Sequence, residues 1–171
     1  MRILFVCIGN ICRSPIADGL LNRKVHDVGL DWKVDSAGVE GYHVGEQPHP
    51  FSMQVCMEHG VDISAQRARR FSVEDLDQFD VVYAMASDVL KDLERECRRC
   101  GVVGKMSKVM LFLNELYPGK HADVPDPWYG PQEGYLDVYN LIDAGTDAII
   151  RKYAAHSPAG MKPDVKVKMI L

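Results

Sequence analysis

A cysteine and an arginine separated by five residues form the part of this chain best suited to chemistry. Cys7 ends an apolar run, and Arg13 follows it after Ile8-Gly9-Asn10-Ile11-Cys12. A loop of this length can curl around a tetrahedral oxyanion with its backbone N–H groups turned inward, and a helix N-terminus attracts anions. The planar guanidinium of Arg13 can bind two oxygens of that anion at once. The spacing therefore predicts an anion loop (residues 7–13) with Cys7 as a thiolate nucleophile.

The residues in and beside the anion loop have the backbone preferences that such a turn needs. Gly9 adopts positive φ angles freely, and Asn10 tolerates the left-handed region better than most residues. Ser14 stands where its hydroxyl could bond the sulfur of Cys7, and Pro15 suits the first turn of a helix. The spacing alone is also compatible with a buried cysteine and an ordinary surface arginine. The surrounding pattern favours the catalytic interpretation.

The elements that must position this loop alternate between strands and helices. We predict strands at residues 2–6, 32–36 and 79–84, a fourth strand or an extended turn at 108–112, and helices at 14–28, 51–59, 88–98 and 133–153. This alternation is typical of an α/β, three-layer domain in which a parallel sheet carries helices on both faces. Ligands of such sheets bind beyond the carboxyl ends of the strands, where Cys7, Ser36 and Ala84 are predicted to lie.

The composition of the chain limits the classes of function. Its 171 residues suffice for one domain with a substantial core, expected at residues 1–155, followed by a C-terminal extension at 156–171 that we predict to be flexible. A net charge of −4 indicates no nucleic-acid partner, and the lack of an apolar stretch of about 20 residues indicates no membrane span. Five cysteines, one of them needed as a thiolate, indicate a reducing compartment, so we expect a cytoplasmic location without a signal segment.

A second motif, Asp126-Pro127-Trp128-Tyr129-Gly130, provides a candidate proton donor. The group that leaves the anion needs a proton in the transition state, which Asp126 could supply before it activates a water molecule. The flanking prolines stiffen this segment, and its two aromatic residues could form the wall of a cleft. An Asp-Pro pair alone is equally typical of a turn, so the prediction depends on the anion loop. No metal ion or cofactor is required, because Arg13 and the loop N–H groups already neutralise the anion.

The segment from Val6 to Ala17 resembles the active-site motif of the low-molecular-weight protein tyrosine phosphatase family. The resemblance extends from Met1 to about Ala155 through further segments in the family's order, at residues 35–38, 58–64, 65–69 and 126–130. It implies a small flavodoxin-like domain with a four-stranded parallel sheet. It also implies hydrolysis of phosphotyrosine through a cysteinyl phosphate, with Cys7 as nucleophile, Arg13 as phosphate-binding group and Asp126 as general acid and base.

The same resemblance implies supporting and rim residues. Phosphate would be bound by Ile8, Gly9, Asn10, Ile11, Cys12 and Arg13, the loop would be held by Asn10, Ser14, Ser36 and His59, and the substrate rim would comprise Ile11, Tyr42, Trp128 and Tyr129. The family's tyrosine phosphatases carry an aliphatic residue at the place of Ile11, whereas related arginine phosphatases carry threonine. The expected partners are therefore tyrosine-phosphorylated proteins and small aryl phosphates, and the chain is expected to be a monomer or a weak oligomer.

Three of the cysteines leave alternatives open. Cys12 could form a reversible disulfide with Cys7, as a second cysteine does in the family, which would make the site redox-sensitive; otherwise it is a small buried apolar residue. Cys97 and Cys100 form a Cys-x2-Cys pair with no second pair nearby. A zinc site would need two further ligands, so this pair is predicted to be two surface thiols at a helix end.

Two other functions compete with the phosphatase. An arsenate reductase on the same scaffold would need two further cysteines, one of them close behind the third strand, where Met85 and Ala86 stand instead, and Cys97 and Cys100 come too late in the chain. A non-catalytic phosphotyrosine-binding module predicts the loss of the nucleophile or the acid, and both are present. The family usually has an aspartate in place of Ala86 and charged residues in place of His49 and Phe51, which leaves the geometry of the rim and the substrate preference open.

Overall fold

The computed structural model describes residues 1–155 of the chain, which fold around a four-stranded parallel sheet. The strands are β1 (Arg2–Cys7), β2 (Lys33–Gly38), β3 (Val81–Ala84) and β4 (Val109–Leu111), in the order β2-β1-β3-β4. The predicted flavodoxin-like α/β architecture is confirmed, and residues 108–112 contain a strand rather than an extended turn. The extension predicted at residues 156–171 lies outside the described residues.

Helices cover both faces of this sheet. Within residues 1–155 the α-helices are α1 (Arg13–Asp27), α2 (Pro50–Glu58), α3 (Asp75–Gln78), α4 (Ser87–Arg99) and α5 (Glu133–Ala154). Short 3-10 helices lie at Val103–Lys108, Phe112–Glu115 and Pro127–Tyr129. The four long helices begin and end within one residue of the predicted bounds. α3 is a single turn without a periodic pattern, so the sequence does not predict it.

The sheet separates two apolar layers because side chains alternate along a strand. Ile3 and Phe5 of β1 pack with α1, α2 and α5, whereas Leu4 and Val6 pack with α3 and α4 on the opposite face. Burial of each such side chain contributes roughly 1.5–3 kcal/mol. The two layers hold β1 from both sides, so the end of this strand is a rigid base for the anion loop.

Cys97 and Cys100 differ from the predicted pair of surface thiols. Cys97 lies on the inner face of α4 and is fully buried, and only Cys100 is exposed. The buried face of α4 places Cys97 in the apolar layer, whereas Cys100 follows Arg99, the last residue of the helix. All five cysteines lie in the described range and are free thiols.

No helix in residues 1–155 is long and apolar enough to cross a membrane.

Candidate active site

The anion loop turns at the carboxyl end of β1 and leads directly into α1. β1 lies between β2 and β3, so the chain leaves it on one side for β2 and later returns on the other for β3. Such a reversal of strand order opens a crevice at the strand ends, where ligands of these sheets bind. α1 begins at Arg13, so that its N-terminus faces this crevice and favours an anion there.

The sulfur of Cys7 lies at the base of the loop and is surrounded by hydrogen-bonding groups. Cys7 is 2% exposed, and its Sγ is 3.0 Å from the hydroxyl of Ser14. The backbone N–H of Asn10 donates to the same sulfur at 3.3 Å. Both groups are positioned to stabilise negative charge on the sulfur, as a nucleophilic thiolate requires.

Asn10 holds the loop in a strained conformation through its side chain. Its φ angle is 57°, in the left-handed region that few residues other than glycine adopt. Its amide Nδ2 donates to the hydroxyl oxygens of Ser14 and Ser36, each at 2.9 Å, and its Oδ1 accepts from the backbone N–H of Arg69 at 2.9 Å. Both donor hydrogens and the acceptor of this buried amide are therefore in use, and the bonds offset the cost of the backbone conformation.

His59 is the one predicted supporting residue that the structure does not bring to the loop. It follows α2, where its Nδ1 is 2.8 Å from the carbonyl of Val55 and its ring stacks on Tyr139 with 4.3 Å between centroids. The expected role of His59 is corrected accordingly, because the bonds of Asn10 are satisfied by other groups. The side-chain oxygen of Asn10 accepts from the backbone N–H of Arg69. Every residue except proline has such an N–H, so the sequence gives no sign of this contact.

Asp18 is a further member of this network that the sequence pattern did not single out. It is 7% exposed, and its Oδ2 accepts from the hydroxyl of Ser36 at 3.1 Å. Burial, reinforced by the charge of Asp35, raises the pKa of Asp18 to about 7. Asp18 lies four residues after Ser14 on α1, a spacing that places both side chains on one helix face and that could have indicated their proximity.

Arg13 lies across the cleft from the candidate acid. Its Nη2 donates to Asp126 Oδ2 at 2.8 Å, and its Nη1 donates to the carbonyl of Val124 at 3.2 Å. Its Nε is buried without a hydrogen-bond partner in residues 1–155. An unpaired buried guanidinium N–H costs free energy, and an oxygen of a bound anion would satisfy it. The geometry therefore suits an anion held between Arg13 and the loop amides.

The loop that carries Asp126, residues 123–130, is fixed at both ends. Asp126 Oδ1 accepts from the backbone N–H of Trp128 at 3.1 Å, which caps the 3-10 helix at Pro127–Tyr129. At the other end, the N–H and hydroxyl of Ser87 donate to the carboxylate of Asp123 at 2.8 and 2.7 Å. This pair attaches the loop to the start of α4, next to the position where Ala86 departs from the family pattern.

The anion loop and the loop of Asp126 enclose a cleft of about 230 Å³. It is lined by Cys7, Ile8, Gly9, Ile11, Cys12, Arg13, Tyr42, His43, Asp126, Trp128 and Tyr129. Of the predicted rim residues, Tyr42, Trp128 and Tyr129 lie at its mouth, where Tyr42 is 81% exposed and Trp128 46% exposed, whereas Ile11 is buried. His43 is a lining residue absent from the predicted set; its Nδ1 is 2.8 Å from Glu46, and its ring is 5.7 Å from that of Trp128.

Cys12 lines the cleft but is 5% exposed. Its sulfur is 3.6 Å from the hydroxyl of Tyr135, and burial raises the pKa of the Cys12 thiol to about 12. Cys12 is therefore a neutral thiol near neutral pH, so it cannot itself be the attacking thiolate. A disulfide between Cys12 and an oxidised Cys7 stays a prediction.

A flavodoxin-like sheet whose first strand ends in a cysteine–arginine anion loop, with no cysteine directly behind β3 as the arsenate reductase would need, defines a cysteine-dependent phosphatase. Residues 2–158 match the family model described as low molecular weight phosphotyrosine protein phosphatase. The chain is 37% identical over 147 residues to the protein of that name from Schizosaccharomyces pombe. This alignment covers 84% of the chain and 91% of the Schizosaccharomyces pombe protein. The chain belongs to the low molecular weight phosphotyrosine protein phosphatase family.

Solved structures agree with this assignment. The crystal structure of YfkJ from Bacillus subtilis superimposes with a TM-score of 0.81 at 31% identity and covers 92% of this chain and 96% of that one. Vibrio vulnificus Wzb, solved in complex with benzylphosphonate, gives a TM-score of 0.76 at 26% identity and covers 88% and 97% of the two chains. The family fold therefore extends over nearly the whole of the described chain.

Proposed function

We propose that this chain hydrolyses phosphotyrosine in proteins through a cysteinyl-phosphate intermediate. The observation that carries this proposal is the meeting of a buried sulfur, a buried guanidinium and a carboxylate in one cleft with an aromatic mouth. Cys7 is the nucleophile, Arg13 and the backbone N–H groups of residues 8–13 bind the phosphoryl oxygens, and Asp126 transfers protons. Asn10, Ser14 and Ser36 hold the loop in its strained conformation.

The first step transfers the phosphoryl group to sulfur. The thiolate of Cys7 attacks phosphorus, the bond from phosphorus to the phenolic oxygen breaks, and the protonated carboxyl of Asp126 gives its proton to the departing oxygen. Asp126 is bonded to Arg13 in this structure. A phosphate dianion bound at Arg13 would replace that bond, which frees the carboxylate to take up the proton that the step consumes.

The second step releases phosphate. The Asp126 carboxylate takes a proton from a water molecule as that water attacks phosphorus, and the sulfur–phosphorus bond breaks to restore the Cys7 thiolate. The donors around the phosphoryl group stabilise its charge in both steps without a metal ion, since the guanidinium and the helix N-terminus supply positive potential.

The walls of the cleft support an aromatic substrate. Ile11 provides an aliphatic surface on the anion loop, and Tyr42 and Trp128 stand at the mouth where they can contact the two faces of a ring. The related Wzb protein was solved with benzylphosphonate, which joins an aromatic ring to a phosphonate. Phosphotyrosine and small aryl phosphates fill such a cleft, whereas phosphoserine leaves its aromatic mouth empty.

The free thiols support the proposed cellular setting. A thiolate nucleophile and four further free cysteines support a reducing, cytoplasmic location. We propose residues 1–155 as the catalytic domain, acting on tyrosine-phosphorylated proteins as a monomer or weak oligomer, with residues 156–171 as an extension that the chemistry does not need.

The decisive experiment measures phosphate release from three forms of one peptide, which carry phosphotyrosine, phosphoserine or phosphoarginine at the same position. Under reducing conditions with a metal chelator, we expect turnover of the phosphotyrosine form, its abolition in Cys7→Ser, and a loss of at least about 100-fold in Arg13→Lys, which lacks the bidentate fork. Cys100→Ser replaces an exposed thiol and is the matched control, with activity unchanged. Preferential release from phosphoarginine, or turnover that survives in Cys7→Ser, would overturn the proposal.

A further inference from the structure

A buried carboxylate lies one hydrogen bond away from the residues that hold the anion loop. Asp18, on the first turns of α1, accepts from the hydroxyl of Ser36 through Oδ2 and from the amide of Asn22 through Oδ1. Arg69 is the nearby cation that lowers its pKa, but Arg69 forms its salt bridges with Asp35 and Asp75. The negative charge of Asp18 is thus held chiefly by two neutral donors.

The positions of the hydrogens in this network follow from its donors and acceptors. The two N–H groups of Asn10 Nδ2 point to the oxygens of Ser14 and Ser36, so both serines must give their own hydrogens elsewhere. Within residues 1–155, the hydroxyl hydrogen of Ser36 is accepted by Asp18. Ser14 has the sulfur of Cys7 at 3.0 Å and the carbonyl of Ala37 at 3.4 Å.

Protonation of Asp18 would weaken the hydrogen bond on which Ser36 depends. A neutral carboxyl carries a hydrogen on one oxygen, which would face the N–H of Asn22 or the O–H of Ser36, and its other oxygen accepts more weakly than a carboxylate does. A buried hydroxyl with a weaker acceptor is held less firmly. Since Ser36 accepts one of the three hydrogen bonds that keep Asn10 at a φ of 57°, the loop conformation would weaken as well.

We propose that Asp18 is a positioning residue whose carboxylate form holds Ser36, and through Ser36 and Asn10 holds the anion loop in the shape in which Cys7 reacts. The charged groups that face it are Asp35 of β2, which disfavours the carboxylate, and Arg69, which favours it. Because the pKa of Asp18 is raised to about 7, both forms are populated near neutral pH. The inference rests on the proposed function only in taking Cys7 as the nucleophile.

The test measures the alkylation rate of Cys7 by iodoacetamide at pH 6.0 and pH 8.5, followed by mass spectrometry of the Cys7 peptide. Asp18→Asn is a neutral isostere of the protonated carboxyl and does not ionise in this range. We expect it to react about 5-fold more slowly than the wild type at pH 8.5, the equivalent of one ordinary hydrogen bond, and like the wild type at pH 6.0. Asp18→Leu removes the acceptor and should be about 5-fold slower than the wild type at pH 8.5.

Controls separate this role from a purely structural one. Asp27→Asn replaces an exposed aspartate of the same helix and should follow the wild type at both pH values. Because the stability effect of Asp18→Asn is itself expected to depend on pH, alkylation of the buried Cys56 in the same samples measures exposure by unfolding, and the Cys7 ratio should change with pH when the Cys56 rate does not. A ratio that is equal at the two pH values would overturn the proposal. Alkylation needs no substrate, so failure of the phosphotyrosine assay would leave this outcome unaffected and the two failures distinguishable.

Discussion

The guanidinium of Arg13 and the carboxylate of Asp126 form a salt bridge of 2.8 Å across the active-site cleft. The Arg13 side chain is 4% exposed and that of Asp126 27%, so the pair is partly shielded from water. The group proposed to bind the phosphoryl oxygens therefore restrains the group proposed to deliver the proton. A substrate dianion competes with Asp126 for Arg13, and this competition has measurable consequences.

Replacing Asp126 by asparagine should separate turnover from anion binding. We expect turnover of a phosphotyrosine peptide to fall about 100-fold, because the leaving phenolate loses its proton donor. Inhibition by inorganic phosphate should become about 3- to 10-fold tighter, because a neutral side chain competes less for Arg13 and repels the dianion less. Steady-state kinetics with phosphate as a competitive inhibitor measure both effects.

The matched control is Asp137→Asn, an exposed position on α5 that should alter neither constant. Unchanged or weaker phosphate inhibition in Asp126→Asn would show that the carboxylate does not compete for Arg13.

A pair of substitutions at Asn10 should distinguish its side-chain bonds from its backbone conformation. Asn10→Gly permits the φ of 57° without strain but loses three hydrogen bonds, whereas Asn10→Ala loses the bonds and adds steric strain of about 1–2 kcal/mol. We expect both variants to lose 10-fold or more in kcat/KM, at about 1 kcal/mol for each bond. The melting temperature should fall further in Asn10→Ala than in Asn10→Gly, because only alanine adds backbone strain. Full activity in Asn10→Gly would mean that the bonds do not hold the loop.

Gly38, the last residue of β2, makes room for the anion loop. A Cβ at this position would lie 2.6 Å from the carbonyl oxygen of Ile8 and 3.0 Å from the backbone nitrogen of Asn10. Neither backbone atom can move without deforming the loop, so we expect Gly38→Ala to reduce kcat/KM at least about 10-fold. Gly41→Ala is the control, since its Cβ would meet only ordinary contacts at 3.7 Å and beyond. Equal activities of the two variants would count against this close approach.

The buried charge of Asp18 should make stability depend on pH. Its pKa is about 7 in the folded chain and about 4 in the unfolded chain. Between these values the folded state holds the extra proton, so the free energy of unfolding falls as pH rises through this window, by on the order of 2–4 kcal/mol. Asp18→Asn should therefore raise the melting temperature by several degrees at pH 8 and by little at pH 4.5. A gain of the same size at both pH values would mean that ionisation of Asp18 is not its cause.

The sequence by itself determined the chemistry and the local frame that carries it. The anion loop, Arg13 and Ser14 are consecutive along the chain, so their proximity needs no long-range contact. The patterns of the four long helices were also sufficient, because helical period is a local property: these helices end within one residue of their predicted bounds. Asp126 became a candidate because its neighbours form a stiff aromatic turn.

Tertiary structure alone decided which distant groups complete the site. The N–H of Arg69 binds Asn10 because β2 and the segment after α2 pack beside the anion loop, and a backbone donor leaves no pattern in the sequence. His59 turns instead to Tyr139, because the end of α2 packs against α5. The ionisation of Asp18 likewise depends on burial between elements. Hydrogen-bond partners and pKa values are set by distances of a few ångströms across the fold, and residue order does not specify those distances.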